Sequence, residues 1–246
     1  MAQSLSSLEA RSRVTYKYEL WRSPFTGIIT EGWQTFALLV AIRVFGASET
    51  VKAVIASANA IGNLLTPLIL FFAARTARTP SQLLIILWLS TAVTFVLAAF
   101  WPELWGFTFW IVLGQLLAAQ TAPFVLLIYS GNFKTSERGT KLALAFMISS
   151  LAGGLFCLVG GRVLDNNIGL YTPLYLVMAG AAITAAALYR KVPSKSPDPQ
   201  EFKHPLRNFK YAVTDKLFGR LLISWKFMGL ANLMMLPLRV EYMANP

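Results

Sequence analysis

Seven stretches of mostly apolar residues constrain this chain more than any other feature. They run over residues 25–45, 51–73, 83–100, 106–129, 142–164, 171–188 and 218–238. A hydrocarbon core of about 30 Å needs about 20 such residues per helix. A helix satisfies every backbone N–H and C=O within the segment, which lipid cannot do for it. The runs are continuous rather than alternating, which argues against a barrel of short, period-two strands. The fold expected is all-α and polytopic, with about seven transmembrane helices.

Composition agrees. Hydrophobic residues make up 56% of the 246, charged residues 13%, and the mean hydropathy is +0.56. A soluble domain is about 45–50% apolar and about 25% charged. A soluble enzyme, a disordered tail and a nucleic-acid-binding domain all fit this balance poorly. The single cysteine, Cys157, excludes an internal disulfide. The one histidine, His204, leaves no histidine cluster for metal or triad chemistry, so neither a cofactor nor an enzymatic activity is implied.

The connections are short except for residues 190–217, a basic loop containing Pro193, Pro197, Pro199 and Pro205. Residues 1–24 are polar and carry Arg11, Arg13, Lys17 and Arg22, and no secretory signal peptide is apparent. The organisation expected is a cytoplasmic segment over 1–24, six helices over 25–189, the basic cytoplasmic loop over 190–217, and a seventh helix with a short outer tail over 218–246. With the N-terminus in the cytoplasm, 17 of the 22 basic residues fall on the inner side. That is the positive-inside pattern of an integral protein of the (inner) cell membrane. The net charge of +11 is thereby explained without a nucleic-acid partner.

Two local signatures accompany this order of spans. The turn between the second and third stretches reads Leu70-Phe71-Phe72-Ala73-Ala74-Arg75-Thr76-Ala77-Arg78-Thr79, and the turn into the fifth contains Ser136-Glu137-Arg138-Gly139. A weaker echo, Cys157-x-x-Gly160-Gly161, lies on the fifth stretch. Together with the long basic loop, these make the chain resemble the major facilitator superfamily. Its pattern G-x-x-x-D-R-x-G-R-K matches at Arg75 and Arg78, and an E-R-G is frequent where Glu137, Arg138 and Gly139 stand. The matching positions omit the family's glycines and aspartate, and Trp110 stands where many proton-coupled members place an arginine. The resemblance covers the family's first half and one helix of its second. It implies a 3+3 inverted repeat in a six-helix bundle and secondary transport of a small solute by rocking of two halves about a midplane site. H+ or Na+ would serve as coupling ion, and a second chain could supply the C-terminal half. The chain is then expected to be a truncated or split form. A non-transporting membrane scaffold, an assembly subunit or an inactive gene remnant is the alternative.

Intramembrane polar residues are the candidate sites, because each costs insertion free energy unless it faces a cavity or a partner. Glu31, Gln34 and Thr35 share one face of the first span. Either they contact solute or proton, or Glu31 is a carboxylate hydrated near the headgroups. Lys226, at a similar depth in the seventh span, could pair with Glu31 or snorkel along its own stem. Arg43 reads as an outer headgroup anchor. Gln115 and Gln120 on the fourth span read as cavity or interhelical contacts, and Asn59 and Asn63 on the second as interhelical glue. Ser149, Gly153, Cys157 and Gly161 recur every four residues as a helix-packing stripe. Pro67 and Pro123 can kink their helices. Trp101, Trp105 and Trp110 read as an interfacial belt.

Overall fold

The computed structural model describes residues 2–197, 210 and 214–244. It is helical, with no strand among the described residues. The order is α1 (Ala2–Arg43), α2 (Glu49–Ala73), α3 (Pro80–Phe100), α4 (Leu104–Ala119), α5 (Thr121–Asn132), α6 (Thr135–Asn166), α7 (Tyr171–Tyr189) and α8 (Lys216–Ala244). A 3₁₀ turn, Ile168–Leu170, precedes α7. Among the described residues six spans are long and apolar enough to cross a membrane, with α4 and α5 together forming the fourth. The chain is therefore an integral, all-α polytopic protein. The seventh apolar stretch forms α8. His204 and the loop prolines Pro199 and Pro205 lie outside the described residues.

Local chemistry sets the ends. After α1 the chain reverses at Gly46, whose φ of +60° favours glycine. Its N–H returns to Ile42 O at 3.1 Å, and that of Ala47 to Ala41 O at 2.9 Å. α3 opens on a capping box: the Thr79 hydroxyl accepts from Gln82 N, the Gln82 side chain accepts from Thr79 N, and Pro80 occupies the first helical position. The fourth span breaks at Gln120. Pro123 cannot donate to the Ala119 carbonyl one turn back, and its ring crowds that carbonyl. By contrast α1 passes through Pro24, and α2 through Pro67, without a break.

The N-terminal segment departs from the expected polar extension. It belongs to α1, and Ser12, Thr15, Glu19, Arg22 and Ser23 are buried in the bundle. The physical reason is that these residues recur every three or four positions, so they share one helix face and turn inward together.

Packing pairs the spans in a regular way. α1 packs on α6, and α2 on α4; α1 also packs on α7, α3 on α4, and α3 on α7. Exchanging spans one, two and three with four, five and six maps this set onto itself. Three spans per unit also means that the second unit runs opposite to the first. The α3–α7 contact is close because Ala179, Ala182, Ala185 and Ala186 offer α7 a face of single methyl groups. Phe95, Phe107 and Tyr175 fill the core beside it, with Phe107 and Tyr175 edge to face at 5.9 Å.

Candidate functional site

A cavity of about 420 Å³ lies between α1, α2, α5 and α6. Its polar lining comes from Glu19, Arg22, Ser23, Thr26 and Thr30 of α1, Asn59 and Asn63 of α2, Thr121 and Tyr129 of α5, and Ser149 of α6. Alanines and Val125, Leu126, Leu142 and Phe146 complete the wall.

The cavity is anchored by an ion pair. Glu19 and Arg22 are each 6% exposed, and they sit one turn apart on α1. Arg22 Nε donates to Glu19 Oε2 at 3.3 Å, while Nη2 donates to Oε1. Its third nitrogen, Nη1, donates to the Thr26 hydroxyl. The guanidinium also lies over the Tyr189 ring, 5.2 Å from the centroid. Such burial costs several kcal/mol per ion in a protein interior and is tolerated because the two charges satisfy each other. About 32 Å of helix separates Arg22 from Arg43 at about 1.5 Å per residue, close to the hydrocarbon thickness. The pair therefore marks one end of the bundle, and the ion pair between Arg43 and Asp165 (2.8 Å) marks the other.

Above the pair the wall is neutral. Asn63 Nδ2 donates to Asn59 Oδ1 at 2.9 Å, and both side chains are exposed to the cavity. The pairing leaves the Asn59 amide hydrogens and the Asn63 oxygen free to meet a solute.

The sequence candidates are distributed differently. Glu31 is half-buried outside this lining, its stem against Gly153 of α6. Gln34 is exposed, and the Thr35 hydroxyl lies 3.4 Å from Cys157 Sγ. Gln115 is buried. Gln120 braces the break in the fourth span against α2, donating to Gly62 O at 2.6 Å and accepting from the Thr66 hydroxyl at 3.4 Å. Lys226 is exposed on α8, and among the described residues it forms no ion pair with Glu31. Of the two readings of Lys226, the pair with Glu31 is not formed among the described residues, and the buried ion pair of α1 is that of Glu19 with Arg22. Asn59 and Asn63, expected as interhelical glue, bond each other and face the cavity. Arg43, expected as a headgroup anchor, is held by Asp165.

The packing stripe on α6 is real over three of its four positions. Ser149, Gly153 and Cys157 meet Gly27, Glu31 and Thr35 of α1 in order. A Cβ on Gly153 would lie 2.7 Å from Gly27 O, and one on Gly27 would strike the Ser149 carbonyl. Gly161 faces open space; the next inward contact is Gly160, against Phe36 and Leu174. A strict four-residue repeat drifts around a 3.6-residue helix, which moves the seam back by one position.

The loop motifs lie at the Arg22 end. Arg75 donates to Phe71 O at 2.7 Å and stacks on the Phe71 ring, and Arg78 is exposed. Glu137 pairs with Lys141 at 2.7 Å. Arg138 reaches Ser130 O and Phe133 O at 3.4 and 3.5 Å. Gly139 is exposed with open space beside it.

Glu19 and Arg22 are the functional candidates that residue-by-residue hydropathy passes over, because they precede the apolar stretch. A signal for them is present nonetheless: Ser12, Thr15, Glu19, Arg22, Thr26 and Thr30 follow at steps of three and four, a polar stripe on one helix face. Among the described residues no group of three or more His, Cys, Asp or Glu could hold a metal ion. No family model matches the chain, and no curated protein matches it.

Proposed function

We propose that this chain forms the solute-binding wall of a small-solute permease of the major facilitator type, working by secondary transport. The observation that carries this reading is the polar cavity and the spans that line it. Spans one, two, four and five line the cavity, and they are two pairs related by the exchange that maps the packing onto itself. Spans three and six stand behind them. A binding site at the interface of opposed three-span repeats is the arrangement that alternating access requires. Rocking about the site opens it to one side of the membrane and then to the other. A second six-span unit, in the same or a second chain, completes the opposite wall, and H+ or Na+ supplies the driving gradient. The basic Arg22 end faces the cytoplasm in the (inner) cell membrane.

The test is uptake of a panel of labelled sugars, amino acids, polyols and organic acids by cells carrying the chain together with the second six-span unit in the membrane. Accumulation of one solute above the empty-vector control, lost on Asn63→Leu, is the expected result. No accumulation of any of them, with both units verified in the membrane, overturns the reading.

A further inference from the structure

We propose that the cavity takes a small monocarboxylic acid, whose carboxylate replaces that of Glu19 on the Arg22 guanidinium while Glu19 takes up a proton. This rests on the transport reading and names the class of solute for it.

The cavity contains one cationic group, Arg22, and that group is already held in a particular way. Glu19 grips it side-on with both oxygens, and Thr26 takes the remaining nitrogen. A planar carboxylate is the chemistry that matches this fork. A spherical anion offers the fork no second oxygen, and a phosphate dianion would bring a charge that one guanidinium does not offset. The partners on the fork belong to α1 itself, and from α5 the Tyr129 hydroxyl hydrogen-bonds Glu19, a bond that the neutral acid can still accept. The facing wall from α2 and α6 contributes neutral hydrogen-bonding groups: Asn59, Asn63 and Ser149. These suit hydroxyl groups on the body of the acid, and about 420 Å³ is ample for three to six carbons by the usual size of ligand sites.

The proton follows from charge balance. The Glu19–Arg22 bonds break, and two bonds from Arg22 to the incoming carboxylate form. If Glu19 stayed ionised, two carboxylates would share one guanidinium in a buried site, leaving an uncompensated charge away from water. One proton from the water entering the cavity neutralises Glu19, and the site returns to the net charge it had when empty. The other titratable groups facing the pair are the phenols of Tyr129 on α5 and Tyr189 on α7. The lining of α2 and of α6 brings none.

Equilibrium dialysis of the detergent-purified full chain against lactate, glycerate and gluconate, with sorbitol and inorganic phosphate as comparators, tests this. At least one of the three acids is expected to bind. Its affinity should rise about tenfold per unit fall in pH, the limit for one proton taken up per anion. In Glu19→Gln the binding should persist and lose its pH dependence. In the double variant Glu19→Gln with Arg22→Gln, which leaves no unpaired charge to unfold the protein, it should vanish. In the dialysis, three outcomes overturn the proposal: no binding of any of the three acids, sorbitol or phosphate bound as tightly, or pH-independent binding by the unmodified chain. Cellular uptake of an uncharged solute would remove this inference and leave the transport reading in place.

Discussion

Asn132, the last residue of α5, donates its side-chain amide to the Thr15 hydroxyl on α1 at 2.9 Å and to the Pro193 carbonyl at 2.7 Å. One 3%-exposed side chain thus ties the buried start of α1 to the end of the fourth span and to the strand of chain leaving α7. Ser81 adds a second tie to that segment, donating to Val192 O at 2.8 Å. Asn132→Leu removes both hydrogen bonds and leaves the buried Thr15 hydroxyl without its amide partner. A loss of about 1–3 kcal/mol is expected, read as a lower melting temperature of the purified protein in detergent. A melting temperature equal to that of the parent chain would show that the tie carries no stability.

Gly153→Leu should be severely disruptive. Its added carbons enter space held by the Glu31 stem and the Gly27 carbonyl, so α1 and α6 must separate. Overpacking costs about 1–3 kcal/mol where neighbours can yield, and here part of the obstacle is backbone. Gly154→Leu, one residue on and facing open space, is the matched control. The pair should differ sharply in the yield of folded protein by size-exclusion chromatography.

The Glu19–Arg22 pair predicts non-additivity. Arg22→Leu leaves a carboxylate buried alone and should cost about 3–5 kcal/mol, whereas Glu19→Leu with Arg22→Leu should cost far less. Melting curves of the two single variants and the double variant measure the coupling. Additive losses would mean that the two charges do not depend on each other.

Topology can be read with a single reactive thiol. In a Cys157→Ser background, Lys195→Cys should react with a membrane-impermeant maleimide only in inside-out vesicles, and Glu103→Cys only in intact cells. The two positions lie at opposite ends of the bundle, because α3 separates the turns that adjoin them. Labelling of Lys195→Cys in intact cells would invert the orientation.

The number and type of elements could be read directly from the residues. Long unbroken apolar runs such as 83–100 admit one solution in lipid, since only a helix closes its own hydrogen bonds there. Turn chemistry at Thr79-Pro80 and at Gly46, and the small-residue stripe Ser149, Gly153, Cys157, are likewise local facts, and they survive in the fold with a one-residue drift at Gly160. What a side chain faces is not local. Hydropathy weighs Glu19 and Arg22 as two costly charges outside a span, yet packed together among Thr26, Tyr129 and Tyr189 they become one neutral unit inside it. The same reasoning applies to Glu31 and Lys226, similar in depth by residue count along the apolar stretches, yet half-buried against α6 in one case and exposed in the other. Depth in the membrane follows from counting residues along a chain; partnership depends on the angle at which each helix meets its neighbours. Only the packed bundle sets that angle, because the free energy that decides it is shared among many side chains distant in sequence.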